Sequence, residues 1–249
     1  MKRWIFLFVT CALAACAAQQ QGVEPPTLFL VGDSTMADQP EHKYPEHGWG
    51  QVLPEFLVPG VKVQNHAMNG RSTKSFRAEG RWQVVIDQLQ AGDLVVIGFG
   101  HNDQKSEDPT RYAEADTDYR ANLTQYIAEA RAQGAEVILV TSIRRRKFDE
   151  QGNLTETLGH YPRVAREVAA VASVPLVDLN QLTAELLART GPEASKGLYM
   201  HAAPGQYANL PPEGKQDDTH LQVEGARQVA GLFVADVKRQ QLRLARWLK

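Results

Sequence analysis

Three short apolar runs, separated by segments with helical spacing, limit this sequence to a small set of folds. Residues 28–31, 94–97 and 137–140 are entirely apolar. Continuous apolar strands are typical of parallel sheets, because helices cover both faces of such sheets. The alternating segment 61–65 and the short segment 176–179 bring the number of strands to five. We therefore predict an α/β fold with a five-stranded, mostly parallel sheet and helices on both faces.

The segments between these strands have the apolar spacing of amphipathic helices. At 116–133 apolar side chains recur three and four residues apart, and Gly134 follows as a helix stop. Further helices are predicted at 49–56, 80–90, 160–173, 181–189 and from 222 into the 240s. The sequence contains neither an internal repeat nor an internal linker, so we predict one domain over 27–249. The long loop at 191–214 is then a functional rim.

Composition excludes some classes of function. The chain has 249 residues and a formal net charge of −2, so its charge balance does not indicate a nucleic-acid partner. Its seven histidines lack the spacing of a metal site, and we predict no bound metal.

The first 26 residues differ from the rest of the chain. A basic start and a short apolar run make 1–15 typical of a signal peptide. The Leu-Ala-Ala sequence at 13–15, followed by Cys16, resembles the lipobox of bacterial lipoproteins, which implies cleavage before Cys16 and lipidation of Cys16. Residues 16–26 then form a tether, and acyl chains are the only membrane attachment. An ordinary signal peptide with a coincidental cysteine is the alternative.

This interpretation of the N-terminus predicts a location at the cell envelope. Ala17 follows the cysteine in place of the aspartate associated with inner-membrane retention of lipoproteins, so the outer membrane is the expected site, facing the periplasm or the surface. Cleavage also removes Cys11 and leaves no second cysteine for a disulfide.

Four polar segments stand where strands end or where the last helix begins. They are 32–34, 69–70 and 100–103, after the first three strands, and 217–220, before the last helix. The carboxyl ends of parallel strands meet at one edge of the sheet, where open α/β folds bind their ligands. We therefore predict that the four segments form one site.

The residue types in these segments meet the needs of nucleophilic catalysis. Ser34 is the predicted nucleophile, and His220 is the base that takes its proton and returns it to the leaving group. Asp217, three residues before His220, is placed to hold one tautomer of the ring. The N–H groups of Ser34 and Gly70 and the side-chain amide of Asn102 are predicted to form an oxyanion hole.

Each segment also has a plain structural interpretation. Residues 33–35 are of types that cap helices and form turns, and Gly70 fits a simple turn after a strand. Asp218, adjacent to Asp217, fits a solvated cap near the start of the last helix.

In this order and on these loops, the four segments resemble the sequence blocks of the SGNH (GDSL-like) hydrolase superfamily. Ser34, Gly70, Asn102 and His220 match the four blocks one by one, over nearly the whole mature chain. The resemblance implies a flavodoxin-like three-layer sandwich, a Ser-His-Asp triad and no cofactor. The Asp-x-x-His pattern of the superfamily favours Asp217 as the acid.

Longer motifs within these regions resemble rhamnogalacturonan acetylesterases. The motifs lie at 32–35, 48–51, 69–76, 100–103 and 218–221. This resemblance implies removal of O-acetyl groups from a plant-type polysaccharide, rhamnogalacturonan or pectin, through an acetyl-Ser34 intermediate. An acetylxylan-type esterase and a lysophospholipase or thioesterase share the triad and remain alternatives. A surface carbohydrate-binding protein is the non-enzymatic alternative.

Four further residues are predicted to contact the substrate. Trp49 and Tyr161 offer aromatic rings to a sugar, and His101 stands beside Asn102. Arg144 belongs to the basic run 144–147, which suits the carboxylates of galacturonate. Each also has a structural interpretation. Trp49 fits core packing, and Tyr161 fits the N-terminus of a helix. His101 fits a hydrogen bond within the turn, and the basic run fits a solvated loop.

Overall fold

The computed structural model describes residues 25–249. The predicted signal peptide, the lipidation site Cys16 and all but the last two residues of the tether lie outside the described residues. The strands of the described part are β1 (Thr27–Gly32), β2 (Glu46–His47), β3 (Lys62–Asn65), β4 (Leu94–Gly98), β5 (Glu136–Val140), β6 (Leu176–Val177), β7 (Tyr199–Ala202) and β8 (Lys215–Gln222).

Five of these strands form the central sheet, in the order β3-β1-β4-β5-β6, and all four pairings are parallel. Counted along the chain, this order is second, first, third, fourth, fifth, which is the flavodoxin-like order. The predicted fold class is therefore confirmed. Strand order reverses between β1 and β4, and ligands bind at the carboxyl edge of such a switch point.

The helices cover both faces of the sheet. They are α1 (Trp49–Val52), α2 (Thr73–Ala78), α3 (Arg81–Ile86), α4 (Arg120–Ala132), α5 (Tyr161–Ala172), α6 (Leu179–Thr190) and α7 (Val223–Arg239). The cluster on one face joins α1, α6 and α7, and the cluster on the other face joins α2 to α5. These two helical layers and the sheet make up the three layers.

Alternation along each central strand fills the two cores. In β1, Leu28 and Leu30 point to the face of α7, while Phe29 and Val31 point to the face of α4, and all four are fully buried. Burial of such side chains stabilises the fold by about 1.5–3 kcal/mol each. The continuous apolar runs in the sequence reflect this two-sided burial.

A second sheet, which the sequence did not predict, lies beside the carboxyl edge of the first. It is antiparallel, with the order β2-β8-β7. The segment 191–214 is thus only partly a loop, because it contains a 3-10 helix (Ala194–Leu198) and β7. Likewise, the segment 217–220 lies within β8 rather than in a turn before α7.

The segment between β3 and α2 is short, because α2 begins at Thr73. Ser72 caps α2 by accepting from the Ser75 N–H, and the Ser75 side chain accepts from the Ser72 N–H. This reciprocal cap satisfies backbone donors that the first turn of a helix leaves without partners.

Candidate active site

Ser34 lies in a tight turn directly after β1, and a buried carboxylate holds that turn. Asp33 Oδ1 accepts from the Thr35 N–H at 3.0 Å and from the Thr35 hydroxyl at 2.8 Å. The Asp33 carbonyl accepts from the N–H groups of Met36 and Ala37, both at 3.1 Å. Burial raises the pKa of Asp33, although its hydrogen bonds from Thr35 oppose that shift. Asp33 therefore shapes the turn that presents the Ser34 side chain.

A series of hydrogen bonds runs from Ser34 through His220 to Asp217. Ser34 Oγ is 2.9 Å from His220 Nε2, and His220 Nδ1 is 2.8 Å from Asp217 Oδ2. An ionised carboxylate only accepts hydrogen bonds, so Asp217 fixes the ring proton on Nδ1 and leaves Nε2 to accept from the serine hydroxyl. The structure thus brings Ser34 together with His220, which lies 186 positions away along the chain.

The local conformation of β8 positions this pair. Asp217 Oδ1 accepts from the backbone N–H groups of Thr219 at 2.8 Å and His220 at 3.0 Å. The chain turns back on the Asp217 side chain, and the other carboxylate oxygen therefore reaches the imidazole. The spacing of three residues works through this local turn, although the segment as a whole pairs as a strand.

The same contacts set the protonation of the pair. Burial on its own would lower the pKa of His220, but the hydrogen bond and charge of Asp217 outweigh it and raise the pKa. Burial would raise the pKa of Asp217, but hydrogen bonds from His220 and the backbone hold it well below its usual range. Asp217 is therefore ionised across the physiological range.

Asp218 points away from the imidazole and is bound elsewhere. Its Oδ1 accepts from Arg146 Nη1 at 2.7 Å and lies 2.7 Å from His201 Nε2. The Arg146 N–H also donates to the Asp218 carbonyl at 2.8 Å. The expectation of a solvated helix cap at Asp218 is therefore wrong, because the carboxylate is engaged in an ion pair that fastens β8 to the loop after β5.

Three donors face the space beside Ser34. Gly70 has φ of +76°, a left-handed conformation that favours glycine. Asn102 donates one amide hydrogen to the Arg71 carbonyl at 3.1 Å, which leaves its second amide hydrogen for a ligand. Within residues 25–249 no hydrogen bond engages the N–H of Ser34 or Gly70. The predicted oxyanion donors thus line one cleft with Ser34.

Sequence reasoning did not single out Gln39, which connects two of these segments. Its side-chain amide donates to the Ser34 carbonyl at 3.0 Å and to Asn69 Oδ1 at 2.8 Å, and Asn69 Nδ2 donates back to Gln39 Oε1 at 2.9 Å. Gln51 in turn accepts from the Gln39 N–H at 2.9 Å. Gln39 stands alone in a long loop, so no spacing or periodicity in the sequence marks it.

The cleft around Ser34 has a volume of about 600 Å³, and most of the residues that line it are charged or polar. Its described lining residues are Ser34, His42, Lys43, Glu46, Asn69, Gly70, His101, Asn102, Lys105, Arg145, Asn209, Leu210, Lys215, Asp217, Thr219 and His220. A second cavity of about 590 Å³ shares Asn69 and Gly70 with it. The site is therefore open to an extended substrate rather than closed around a small one.

Trp49 is not a sugar-binding residue, because it is buried in the core. Its ring is 1% exposed and packs on Phe233 of α7 with 5.2 Å between ring centroids. A Cβ on Gly50 would come within 2.5 Å of the Met36 carbonyl, so the flanking glycine lets α1 pack tightly beneath the Ser34 turn. The motif at 48–51 supports the site from below.

Tyr161 and Arg144 also lie outside the cleft. The Tyr161 hydroxyl donates to the carbonyls of Asp103 at 3.1 Å and Ala113 at 2.8 Å, and its ring packs edge-on against Tyr119. Arg144 pairs with Glu156. Neither side chain is placed to contact a ligand beside Ser34, so the expectation of substrate contact at these positions is wrong.

The residues of the basic run 144–147 contact different parts of the molecule. Its second member, Arg145, lines the cleft and is held by neutral oxygen atoms: Thr219 Oγ1 at 3.2 Å, the Thr157 carbonyl at 3.1 Å and the Gln104 side-chain oxygen. Arg146 holds Asp218, as described above. Arg145, rather than Arg144, thus brings the positive charge of this run to the cleft.

His101 lies in the cleft wall beside Asn102, as predicted, but it is buried. It is 3% exposed, and neither ring nitrogen has a hydrogen-bond partner in residues 25–249. Burial, together with the positive charge of Arg145, holds the pKa of His101 well below its usual value, so the ring is neutral.

The part of the chain that the structure describes holds neither a cluster of metal ligands nor a helix suited to crossing a membrane. No group of three or more His, Cys, Asp or Glu side chains in residues 25–249 is arranged to hold a metal ion. In the same range, every helix is too short or too polar to cross a membrane.

A serine, a histidine and an aspartate hydrogen-bonded in series at the carboxyl edge of a parallel sheet form the arrangement of a serine hydrolase. Comparison with known proteins agrees, because residues 30–228 match the GDSL-like lipase/acylhydrolase family. The chain belongs to that family and is a serine hydrolase that acts on carboxylic ester bonds.

Individual relatives are similar over most of the chain. This chain is 40% identical to rhamnogalacturonan acetylesterase RhgT of Bacillus subtilis over 215 aligned residues. The alignment covers 86% of this chain and 90% of that protein. The crystal structure of protein YxiM from Bacillus subtilis superposes with a TM-score of 0.75 at 27% identity, covering 89% of this chain and 58% of that longer one. The crystal structure of Axe2, an acetylxylan esterase from Geobacillus stearothermophilus, shares the fold, with a TM-score of 0.62, 22% identity and coverage of 86% and 96%.

Proposed function

We propose that this chain removes O-acetyl groups from rhamnogalacturonan, with Ser34 as nucleophile, His220 as general acid and base, and Asp217 as the residue that orients His220. The Asp217–His220–Ser34 series of hydrogen bonds in an open, polar cleft carries the proposal. The 40% identity to a rhamnogalacturonan acetylesterase supports the choice of substrate.

The first half of the reaction forms an acetyl-enzyme. Ser34 Oγ attacks the acetyl carbonyl carbon while its proton passes to His220 Nε2, which is 2.9 Å away. The negative charge that develops on the carbonyl oxygen is stabilised by the N–H groups of Ser34 and Gly70 and by the amide of Asn102. The imidazolium that forms is stabilised by the Asp217 carboxylate.

The tetrahedral intermediate formed by this attack then collapses and releases the sugar. The bond between the acetyl carbon and the sugar oxygen breaks, and His220 Nε2 gives its proton to that oxygen. In the second half, a water molecule gives a proton to His220 and attacks acetyl-Ser34. Acetic acid, which keeps the second proton of the water and ionises in solution, leaves as the ester bond breaks, and the proton on His220 returns to Ser34 Oγ. Atoms and charge balance without any cofactor.

The lining of the cleft favours a sugar over a long acyl chain. Among the described residues that line it, Leu210 is the one large aliphatic side chain, and the others are mostly charged or carry amides and hydroxyls. An acyl tail requires apolar surface to gain the hydrophobic free energy of binding. A lysophospholipase or a long-chain thioesterase is therefore a poorer match to this site.

The experiment that tests the proposal measures acetate release from acetylated rhamnogalacturonan, acetylated xylan and a lysophospholipid. Wild type and Ser34→Ala are compared on each. We expect release from the pectic polymer that is lost in Ser34→Ala by at least about 10⁴-fold. Release from xylan alone would retain the mechanism and reject the substrate. Activity that persists without the Ser34 hydroxyl would reject the nucleophile.

We also propose that Cys16 carries a lipid anchor that places the enzyme at the cell envelope, on the outer membrane. The Leu-Ala-Ala-Cys sequence at 13–16 supports this proposal. The check is labelling with a fatty-acid analogue in cells. Incorporation should be lost in Cys16→Ala, and label that remains in that variant would reject the anchor.

A further inference from the structure

The cleft around Ser34 is positively charged in a chain that is negative overall. Four cationic side chains line it, Lys43, Lys105, Arg145 and Lys215, against two carboxylates. The whole chain has a formal net charge of −2. Clefts lined by one sign of charge concentrate ligands of the opposite sign. This excess of positive charge is therefore evidence about the substrate.

Two of the four cations are balanced by the carboxylates of the cleft. Lys215 Nζ lies 3.1 Å from Glu46 and 3.5 Å from Asp217, and Lys43 Nζ lies 3.8 Å from Glu46. These lysines offset the charges that surround them, and the excess therefore resides on the other two cations.

Arg145 and Lys105 have no anionic partner in the described part of the chain. The guanidinium of Arg145 is bound only by neutral oxygen atoms, and burial lowers its pKa. For Lys105, no carboxylate of residues 25–249 lies within 4 Å of its ammonium group, and no hydrogen bond engages that group. Two cations in one cleft, neither of them in direct contact with a carboxylate, cost free energy that a bound anion recovers.

The backbone fixes Lys105 next to the oxyanion donors. The Lys105 N–H donates to the Asn102 carbonyl at 3.2 Å and closes a turn with two residues between them. The side chain is half-buried and lines the same cleft as Ser34. Its positive charge is also one of those that lower the pKa of His101 in the cleft wall. Lys105 thus lines the cleft that contains Ser34 and His220.

We infer that Lys105 binds the carboxylate of a uronic acid in the polysaccharide, and that Arg145 supports this contact by keeping the cleft positive. The inference rests on the proposed function and adds a residue that distinguishes acidic from neutral acetylated polymers. A charge-assisted hydrogen bond from an ammonium group to a carboxylate has both the strength and the sign required. Lys105 is suited to a test, because it holds no other side chain in place.

The experiment compares wild type with Lys105→Met on acetylated rhamnogalacturonan, on the same polymer after reduction of its carboxyl groups to alcohols, and on a neutral aryl acetate. For Lys105→Met we expect KM on the native polymer to rise about tenfold. Its kcat, and its rates on the reduced polymer and the aryl acetate, should match those of wild type. Added salt should raise KM of wild type more than that of the variant.

Lys62→Met is the matched control, because Lys62 is exposed on the edge strand β3, away from the cleft. Equal KM values for wild type and Lys105→Met on the native polymer would overturn the inference. A rise in KM that is equally large on the reduced polymer would also overturn it, because the contact would then not involve a carboxylate.

A separate measurement tests the Lys105 contact even if the proposed pectic substrate is wrong. If wild type hydrolyses the aryl acetate but neither polymer, deacetylated oligogalacturonate is added as an inhibitor of aryl acetate hydrolysis. If oligogalacturonate inhibits wild type and inhibits Lys105→Met about tenfold more weakly, the carboxylate contact is supported even though the pectic polymer is not the substrate. Equal inhibition of both, or of neither, overturns it.

Discussion

The two sides of the cleft are built in different ways. On one side, Ser34 and Asn102 follow the central strands β1 and β4 and are 8% and 4% exposed. On the other side, Asp217 and His220 lie in the small antiparallel sheet, with side chains 20% and 30% exposed. The proposed nucleophile and Asn102 thus belong to the core, while the proposed base belongs to a more solvated accessory sheet.

Different interactions therefore hold the two sides. The turn at Ser34 depends on apolar packing beneath it and on the buried carboxylate of Asp33. The β8 segment depends on polar contacts, chiefly Asp218 with Arg146 and Lys215 with Glu46. Substitutions of Asp217 and His220 should alter the chemistry with modest loss of stability, whereas substitutions of buried groups on the nucleophile side should alter stability as well.

The largest effect is expected for Asp217→Asn on the base side. An amide at this position can donate to His220 Nδ1 and favour the wrong tautomer, so we expect kcat to fall about 10⁴-fold. Steady-state hydrolysis of an aryl acetate measures this loss. The midpoint of unfolding in urea should fall only modestly, because the contacts of the side chain lie within β8 and an asparagine oxygen still accepts from the Thr219 and His220 N–H groups.

Asp218→Asn is the matched control for that substitution. Asp218 adjoins Asp217 but binds Arg146 and His201. We expect kcat within about tenfold of wild type and a loss of stability of about 1–3 kcal/mol, because the buried Arg146 loses its charged partner. A loss of activity as large as that of Asp217→Asn would contradict the assignment of the two aspartates.

The pH dependence of the reaction tests the same pair. His220 accepts a proton only when neutral, and Asp217 raises its pKa above the ordinary value of 6.5. In wild type, kcat/KM should therefore fall on the acid side with an apparent pKa above 6.5. In Asp217→Asn the acid limb should move to lower pH, because the carboxylate that stabilises the imidazolium is gone. An acid limb that stays in place would contradict this coupling.

The contrast between the two sides also explains why the central strands could be predicted from the sequence and the accessory sheet could not. The strands β1, β4 and β5 are buried on both faces, so their apolar runs stand out and the polar residues after them are easy to place. In β8, by contrast, Leu221 is the one buried residue, and the strand lacks an apolar pattern. Its pairing with β7 and β2 depends on contacts distant in the chain, which periodicity does not show.

Individual side chains were harder to assign than segments. Trp49 has a residue type that suits sugar binding, but two flanking glycines allow it to pack inside the core. Arg144 and Arg145 are adjacent and chemically identical, and only the path of the loop decides which one reaches the cleft. Such choices depend on tertiary geometry, so residue type and spacing do not determine them.

A smaller effect is expected for Asn102→Ala on the nucleophile side. Loss of one oxyanion donor lowers kcat about 10²- to 10³-fold. The Arg71 carbonyl also loses a hydrogen bond, so stability should fall by about 1 kcal/mol. Aryl acetate kinetics and urea unfolding measure the two effects. A kcat equal to that of wild type would show that Asn102 contributes no oxyanion contact.

The smallest effect on activity is expected for Asp103→Asn, which changes stability instead. Asp103 is fully buried, and its Oδ1 accepts from the Thr73 N–H at 2.9 Å and from the Thr73 hydroxyl at 2.5 Å. Its Oδ2 has no partner within residues 25–249. Burial raises the pKa of Asp103 to about 7, although its bonds with Thr73 oppose that shift.

The sign of the pH effect follows from this raised pKa. Between about pH 4 and pH 7 the unfolded chain loses the Asp103 proton while the folded protein retains it, so the folded state loses stability as pH rises. An asparagine does not titrate. Its stability relative to wild type should therefore improve by about 2 kcal/mol between pH 5 and pH 8. Urea unfolding at the two pH values measures this difference, and aryl acetate hydrolysis should stay within about twofold of wild type. A stability difference that does not change with pH would mean that Asp103 is ionised in the core, and the nucleophile side would then depend on charge as much as the base side does.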